Sequence, residues 1–328
     1  MTETLQTARP TNIDAVTARH LLVGRDAPFE PDKGVAAIEA LAAAGDADAL
    51  CTLATLRAAG AWTSHSWPEA MDLLQQAAEL GSVDARSQLG LLSPDRTLAD
   101  RVRAGDLRDE GRWRELRHSI NLEEWVRPRP PVQVCQVPRI WIAEEFARPE
   151  LCEWLVSRGR DRFKPALMRD ATTGVASALD SRTCSDFVFD VVDGAIVMLL
   201  LRIKISNATS IPVPHMEPPQ IFHYAVGEEI KPHHDFLFDG ETGYGPDGSY
   251  TGDRLATFLM YLNDGYEGGA LEFPFAEYRY KGRTGDAIFF TSQREKKPDP
   301  KSLHGAEPIT RGEKFILSQW IHDRPFTA

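Results

Sequence analysis

Residues 224–235, which read YAVGEEIKPHHD, decide the fold of this chain because they place two potential metal ligands at a fixed spacing. His233 is followed two positions later by Asp235. In a β-strand, residues two apart project to the same side, so both side chains can converge on one ion while His234 points away. Another imidazole, His304, is available far downstream. Two histidines and one carboxylate leave open positions on a ferrous ion, so we predict that His233, Asp235 and His304 bind Fe(II).

The residues around these ligands have the pattern of short strands separated by clusters of Gly, Pro, Asn and Asp. This pattern predicts an antiparallel barrel or jelly roll. A Gly/Asp-rich segment, residues 239–252, follows the H-x-D triplet, and we expect it to order over substrate as a lid, since long loops are often functional. The strand-like runs are residues 254–263, 270–274, 287–290 and 316–321.

Three linked motifs resemble those in the catalytic domain of the prolyl 4-hydroxylase family. The members of this family are 2-oxoglutarate- and Fe(II)-dependent oxygenases built on a double-stranded β-helix. The family pattern Y-x-x-G-x-x-aromatic-x-x-H-x-D begins at Tyr224, with Ile230 in place of the aromatic residue. The pattern R-x-x-T-x-x-x-Y-L-N begins at Arg254, and H-x-x-x-P-[VI]-x-x-G-x-K begins at His304. One further departure is Leu271, which stands where the family's G-G-x-T-x-F-P motif has threonine.

The resemblance implies roles for residues beyond the metal ligands. Lys314, at the end of the third motif, would pair with the distal carboxylate of 2-oxoglutarate, because a charge buried in a barrel needs a partner. Tyr224 would line the cosubstrate pocket, and Thr257 would hydrogen-bond there. On the substrate side, Trp320 would line a peptide groove, with core packing as the alternative. Arg182 is a further substrate-groove candidate, with an ordinary salt bridge as the alternative.

The resemblance also implies the reaction. The chain would hydroxylate a C–H bond, most consistently that of a prolyl residue in a protein or peptide, while 2-oxoglutarate is converted to succinate and CO2. The cofactors would be Fe(II), 2-oxoglutarate and L-ascorbate, and no catalytic residue is expected beyond the metal ligands. Two alternatives stay open: hydroxylation of a free amino acid or small natural-product intermediate, and a catalytically silent jelly-roll module that binds a partner.

Composition restricts the cellular setting. The 328 residues carry a net charge of −11 and a pI near 5.4, which argues against nucleic acid as a partner. The four cysteines lack C-x-x-C spacing, so neither a zinc site nor a disulfide framework is indicated. The first residues contain no apolar core of a signal peptide, and no apolar run is long enough to span a bilayer. We therefore expect a cytoplasmic protein without a membrane partner.

The first third of the chain is rich in Ala and Leu at helical spacing and repeats itself at an offset of 36, as in Gly45 and Gly81 or Leu53 and Leu89. Such a period predicts stacked helix pairs and is similar to the tetratricopeptide-type superfamily. These helical repeats would either help to dock a protein substrate or only pack on the catalytic domain. The predicted helices cover residues 35–44, 47–59, 68–80 and 83–92, with a capping helix around 98–120.

The sequence thus predicts an α+β chain, in which an all-α helical-repeat domain precedes a double-stranded β-helix (jelly-roll) domain with flanking helices. Within the jelly-roll domain, helices are expected at residues 143–159 and 191–205. The oligomeric state does not follow from the sequence. The predicted divisions are a disordered or extended N-terminus at 1–30, helical repeats at 31–126, a Pro-rich junction at 127–132 and the dioxygenase domain at 133–328.

Overall fold

The computed structural model describes residues 13–97, 101, 111–166, 168–169, 176–177, 183–236 and 252–326. The chain divides into two compact units. The first contains Met1–Leu122 and Asp190–Leu200, and the second contains Glu123–Phe189 and Leu201–Ala328. Among the described residues, no helix combines the length and the apolar character that crossing a membrane requires.

The first unit is built from helices whose neighbours in sequence pack against each other. Helices α2 and α4 begin 36 residues apart, at Pro31 and Trp67, and so do α3 and α5, at Ala47 and Val83. The relation of these pairs to the tetratricopeptide-type superfamily stays a prediction, and the predicted capping helix lies partly outside the described residues. The helices are α1 (Ala15–Val23), α2 (Pro31–Ala43), α3 (Ala47–Ala59), α4 (Trp67–Glu79), α5 (Val83–Leu92) and α6 (Gly111–Ser119).

The N-terminal segment departs from the prediction that residues 1–30 are disordered or extended. This prediction is wrong over Ala15–Val23, which form helix α1. Asp14 caps the helix by accepting a hydrogen bond from Thr17 N at 2.7 Å, an interaction that contributes about 1 kcal/mol. Leu21 and Leu22 are buried, so packing of these side chains stabilises the helix. The helical pattern in the sequence of this segment is too weak to predict it. Residues 1–12 lie outside the described part of the chain.

The segment Asp190–Leu200 groups with the helical unit, although the sequence analysis places it in the dioxygenase domain. Arg25 forms ion pairs with Asp190 and Asp193. Gln88 Oε1 also accepts a hydrogen bond from Ile196 N at 3.0 Å. These contacts join residues more than a hundred positions apart, which is why a linear division of the sequence assigned the segment to the wrong unit.

In the part of the chain that the structure describes, the second unit combines helices with eighteen strands, most of them short. Its helices are α7 (Leu122–Trp125), which begins at the last residue of the first unit, α8 (Pro149–Gly159) and α9 (Val191–Thr209), whose early part belongs to the first unit. Helix α9 is interrupted at Ala195, where φ is +53°. The strands are β1 (Val132–Gln136), β2 (Arg139–Ala143), β3 (Lys164–Pro165), β4 (Met168–Arg169), β5 (Ala176–Ser177), β6 (Ser185–Val188), β7 (Gln220–Tyr224), β8 (Ile230–His233), β9 (Arg254–Tyr261), β10 (Glu267–Gly268), β11 (Leu271–Phe273), β12 (Tyr278–Tyr280), β13 (Ala287–Thr291), β14 (Gln293–Arg294), β15 (Lys297–Pro298), β16 (His304–Ala306), β17 (Ile309–Arg311) and β18 (Lys314–His322).

Two antiparallel sheets form the body of this unit. The larger has the order β1-β2-β13-β9-β18-β7-β6-β3, and the smaller has the order β12-β11-β16-β8. Neighbouring strands are mostly distant in sequence, which is the connectivity of a jelly roll. Side chains of both sheets meet in one hydrophobic cluster, as in the edge-to-face contact of Phe273 and Phe290 at 4.9 Å. The predicted fold class, an α+β chain with a jelly-roll domain, is therefore confirmed.

Candidate metal centre and cosubstrate pocket

Three side chains meet where the ends of β8 and β16 lie side by side. His233 closes β8 and His304 opens β16, and the antiparallel register sets these residues directly opposite each other. Asp235 lies two positions beyond the end of β8, so it follows the strand rather than continuing it as the sequence suggested. The potential ligand atoms of the three residues all lie within 4.8 Å of one another. Such a cluster can hold one metal ion from one side.

The imidazole rings are oriented by backbone carbonyls. His233 Nδ1 lies 2.9 Å from Lys231 O, and His304 Nδ1 lies 3.0 Å from Ser302 O. Because a carbonyl oxygen only accepts, each Nδ1 carries the proton and each Nε2 keeps its lone pair. These Nε2 atoms lie 3.6 and 3.5 Å from the carboxylate oxygens of Asp235. Both histidines are thus held in the tautomer that a metal requires.

His234 takes no part in the cluster, as the alternation of side chains predicts. Its Nε2 lies 3.0 Å from Pro300 O, and its ring stacks on Phe236 with centroids 4.6 Å apart. The ring of His304, by contrast, packs beside Phe290 at 4.5 Å. Aromatic packing of this kind restricts ring rotation and keeps the ligand in place.

Asp235 is kept ionised although it is buried. Burial raises the pKa of this carboxyl, but the neighbouring His304 and His233 outweigh that effect and hold it well below its usual range. Thr257 Oγ1 also donates a hydrogen bond to Asp235 Oδ2 at 2.5 Å. The sequence assigned the Thr257 hydroxyl to the cosubstrate, whereas the structure directs it to a metal ligand. Two imidazoles and an ionised carboxylate form a donor set that suits Fe(II).

A narrow pocket, partly open to solvent, begins at this cluster. Alternate residues of β18 face the pocket, as the two-residue period of a strand requires. The sequence-predicted residues Tyr224, Thr257, Lys314 and Trp320 all line it. The pocket is also lined by the two positions that depart from the family motifs, Ile230 and Leu271.

Lys314 provides a positive charge inside the pocket. The residue is 3% exposed, and its Nζ donates a hydrogen bond to Gly269 O at 2.8 Å. Burial, with a contribution from Lys281, lowers the pKa of Lys314 to about 8. Among the described residues, no carboxylate forms an ion pair with Lys314. A buried ammonium without a counter-ion is costly, so this site fits an anionic ligand such as a carboxylate of 2-oxoglutarate.

Comparisons with known proteins agree with this geometry. Residues 219–322 match the model of the 2OG-Fe(II) oxygenase superfamily. Probable prolyl 4-hydroxylase 3 of Arabidopsis thaliana is 32% identical over an alignment of 206 residues, and the match covers 56% of this chain and 69% of the relative. Prolyl 4-hydroxylase 1 of the same plant is 30% identical over an alignment of 236 residues, and the match covers 66% of this chain and 80% of the relative. This chain belongs to the prolyl 4-hydroxylase family.

One solved structure is also similar. The viral collagen prolyl hydroxylase from Paramecium bursaria Chlorella virus-1 is 24% identical, with a TM-score of 0.43 over 57% of this chain and 98% of its own. As a member of the prolyl 4-hydroxylase family, this chain is a 2-oxoglutarate-dependent dioxygenase that uses Fe(II). His233, Asp235 and His304 would hold the metal, and Lys314 would hold the cosubstrate.

The structure adds a residue that positions Lys314 in this prolyl 4-hydroxylase. Asn263 Nδ2 donates to Glu313 O at 2.7 Å, and Asn263 Oδ1 accepts from Phe315 N at 2.8 Å. The Asn263 amide therefore hydrogen-bonds to the backbone on both sides of Lys314 and fixes the position of the start of β18. The sequence signal was present, because Asn263 closes the R-x-x-T-x-x-x-Y-L-N motif, but the motif alone does not reveal the role.

A buried charged cluster behind Trp320 was not predicted. Arg254 Cζ lies 3.8 Å from the Trp320 ring centroid, and Arg254 binds both oxygens of Glu217 at 2.6 and 3.1 Å. His322 Nε2 lies 2.7 Å from the same carboxylate. Burial raises the pKa of Glu217, but His322 and Arg254 bring it below its usual value. Trp320 lines the pocket and also packs edge-to-face on Phe222 at 5.9 Å, so both of its predicted roles are compatible with its position.

Two predictions cannot be placed. Arg182, the second candidate for the substrate groove, lies outside the described residues. Most of the predicted lid, residues 239–252, does too, since the structure describes only its last residue. Glu217 could not have been found from the sequence, because it lies in none of the three motifs and pairs with residues far away in the chain.

Proposed function

We propose that this chain hydroxylates a prolyl residue of a protein or peptide, with conversion of 2-oxoglutarate to succinate and CO2. One observation carries the proposal: a cluster of two imidazoles and an ionised carboxylate shares a single pocket with a buried ammonium that lacks a counter-ion among the described residues. The curated relatives it resembles carry the name prolyl 4-hydroxylase, which supports a prolyl target.

The chain's residues would divide the work of the reaction between them. When bound, Fe(II) and 2-oxoglutarate supply the oxidising chemistry, with ascorbate keeping the metal reduced. Lys314 pairs with the distal carboxylate of the cosubstrate and thereby fixes its orientation. The apolar walls around it, including Ile230 and Leu271, exclude water from the reacting groups. The guanidinium of Arg254 packs on the ring of Trp320 and fixes its orientation. A pyrrolidine ring can then pack against this indole.

The helical unit would help to dock a protein substrate. Phe29 and Trp62 are 64% and 41% exposed, and their rings form an edge-to-face pair with centroids 6.4 Å apart. Exposed aromatic side chains of this kind are enriched at protein interfaces. Replacing both with serine should reduce turnover of a folded protein substrate and leave turnover of a short peptide unchanged. Equal rates on the folded substrate would show that this pair does not dock it.

We place this activity in the cytoplasm. None of the four cysteines, all of which lie in the described part of the chain, forms a disulfide, and Cys51, Cys152 and Cys184 are buried. Burial raises the pKa of Cys152 to about 12, so this thiol is unreactive. Cysteines without disulfides suit a reducing compartment. Fractionation of cells that express the tagged chain at native level would test this, and recovery in an oxidising compartment would contradict it.

Peptide mass spectrometry tests the proposed function. The purified chain is incubated with Fe(II), 2-oxoglutarate, ascorbate and proline-containing peptides, and both oxygen gain and succinate are measured. We expect one added oxygen atom on a prolyl residue for each succinate released. Asp235→Asn, which keeps the size of the side chain, should abolish both signals. Oxygen gain only on free amino acids or other small molecules would instead favour the small-molecule hydroxylase, and a chain that binds no iron would favour the silent module.

A further inference from the structure

Positive charge accumulates on the backbone segments that orient the metal ligands. The carbonyl that accepts from His233 belongs to Lys231, and the carbonyl that accepts from His304 belongs to Ser302. Lys301 precedes Ser302 in the 3-10 turn Pro300–Ser302. Lys231 and Lys301 are both exposed. Two exposed lysines therefore lie on the segments that carry the metal-binding histidines, two residues before His233 and three residues before His304.

A basic hairpin leads directly into this turn. Strands β14 and β15 pair with each other, and Arg294, Lys296 and Lys297 are exposed on the hairpin. Its base is fixed, because Asp299 N donates to Ser292 O at 2.9 Å. The Asp299 carboxylate in turn accepts from Lys301 N at 3.0 Å. The hairpin is thus tied at its base to the turn that precedes His304, and it adds three exposed cations to Lys231 and Lys301.

The charge on this strip is not neutralised within the described part of the chain. There, none of Lys231, Lys296, Lys297 and Lys301 forms an ion pair, and Arg294 lies 4.0 Å from the 86% exposed Glu295 of the same hairpin. Exposed arginines elsewhere in the same unit do have carboxylate partners: Arg129 pairs with Glu145, Arg279 with Glu307 and Arg311 with Glu267. In a chain of net charge −11, a group of exposed cations of which four form no ion pair among the described residues attracts anions.

We propose that Lys231, Arg294, Lys296, Lys297 and Lys301 form a basic strip that selects acidic peptides, in which Asp or Glu residues flank the target proline. The inference rests on the proposed function and names the substrate class of the same site. Charge complementarity of this kind raises the association rate and favours one set of partners over others. None of the five residues lines the pocket or belongs to the cluster of metal ligands, so removal of their charges should leave metal and cosubstrate binding intact.

Fluorescence anisotropy measures the preference directly. Two labelled peptides of equal length carry one central proline flanked either by Glu or by Gln, and each is titrated with the Fe(II)- and 2-oxoglutarate-loaded protein under nitrogen. We expect the Glu peptide to bind about tenfold more tightly at low salt. This advantage should shrink as salt is added, because exposed charges are screened.

Two matched triple variants separate the strip from net charge. The strip variant should lose most of the preference for the Glu peptide, while it binds the Gln peptide and consumes 2-oxoglutarate without peptide as the parent does. The control variant loses the same three charges at paired positions and should keep the preference. The strip variant is Arg294→Gln/Lys296→Gln/Lys297→Gln, and the control variant is Arg129→Gln/Arg279→Gln/Arg311→Gln.

The outcomes separate this inference from the proposed function. Equal affinity of the parent for both peptides would overturn the proposed role of the basic strip. Equal losses of the preference for the Glu peptide in the two triple variants would also overturn it. Tighter binding of a single-stranded oligonucleotide than of the Glu peptide would also overturn it, since the strip would then fit a different polyanion. If the Glu peptide binds more tightly but neither peptide gains oxygen, the proposed function fails while the binding preference stands. If both peptides are hydroxylated with equal affinity, only the strip fails.

Discussion

Replacing Lys314 with methionine should change cosubstrate affinity and protein stability in opposite directions. The substitution keeps an unbranched side chain but removes the buried ammonium. In the parent protein this ammonium has no carboxylate partner among the described residues, so its charge is uncompensated until an anion binds. Binding of 2-oxoglutarate would supply the missing partner.

The magnitude follows from the burial of the charge. The pKa of Lys314 falls from its usual 10.5 to about 8, which corresponds to a cost of ~3 kcal/mol for holding the charge in the empty protein. Lys314→Met should therefore raise the free energy of unfolding by up to ~3 kcal/mol when no ligand is present. Loss of one partner of a buried ion pair costs ~3–5 kcal/mol, so the Kd for 2-oxoglutarate should rise by ~100-fold or more.

Urea denaturation of the ligand-free proteins measures the first effect. Since the folded-state pKa lies below the unfolded one, the parent should gain stability as pH rises from about 8 toward 10.5, and the variant should lack this gain. Calorimetry with Fe(II) under nitrogen measures the second effect. Lys164→Met is the control, because Lys164 is exposed and does not line the pocket. An unchanged Kd in the Lys314 variant would refute the role of Lys314 in binding 2-oxoglutarate. A variant less stable than the parent would refute the free-energy cost assigned to burying the ammonium.

Four further predictions concern the same unit. The Kd for 2-oxoglutarate, measured by calorimetry across a pH series, should rise about tenfold per pH unit above about 8, because only protonated Lys314 pairs with a carboxylate; a flat profile would contradict this. His304→Ala should abolish Fe(II) binding, measured by metal analysis after dialysis, and retention of one iron per chain would reject the ligand. Thr257→Val should weaken Fe(II) binding about tenfold by removing the hydrogen bond to Asp235, whereas Thr257→Ser should not. Arg254→Gln should lower the free energy of unfolding in urea by ~3 kcal/mol because it leaves the buried Glu217 carboxylate with only His322 beside it, and adding Glu217→Gln should restore part of the loss; an additive loss would show that the pair is not coupled.

The metal centre could be predicted because its information is local. His233 and Asp235 lie two positions apart, and a family motif marks His304. The only long-range requirement is that the strand carrying His304 pairs with the strand carrying His233. The register of β8 and β16 does this. The tautomers of the histidines could not be predicted, since they depend on the carbonyls of Lys231 and Ser302.

Interactions between distant segments account for what the sequence did not reveal. Glu217, Arg254 and His322 come from three separate parts of the chain and meet only because β9 and β18 pair in the large sheet. The return of Asp190–Leu200 to the helical unit depends in the same way on long-range contacts with Arg25 and Gln88. A sequence motif does not indicate which distant segments pair in this way.

Oxygen incorporation at a prolyl residue is the most direct measurement of the central claim. The chain, loaded with Fe(II) and 2-oxoglutarate, is given a proline-containing peptide under labelled oxygen gas, and the peptide is sequenced by mass spectrometry. We predict one labelled oxygen atom on the prolyl ring, equimolar succinate, and loss of both in Asp235→Asn. Iron-loaded protein that decarboxylates 2-oxoglutarate yet never labels a prolyl residue in any peptide or protein offered would contradict the proposed function.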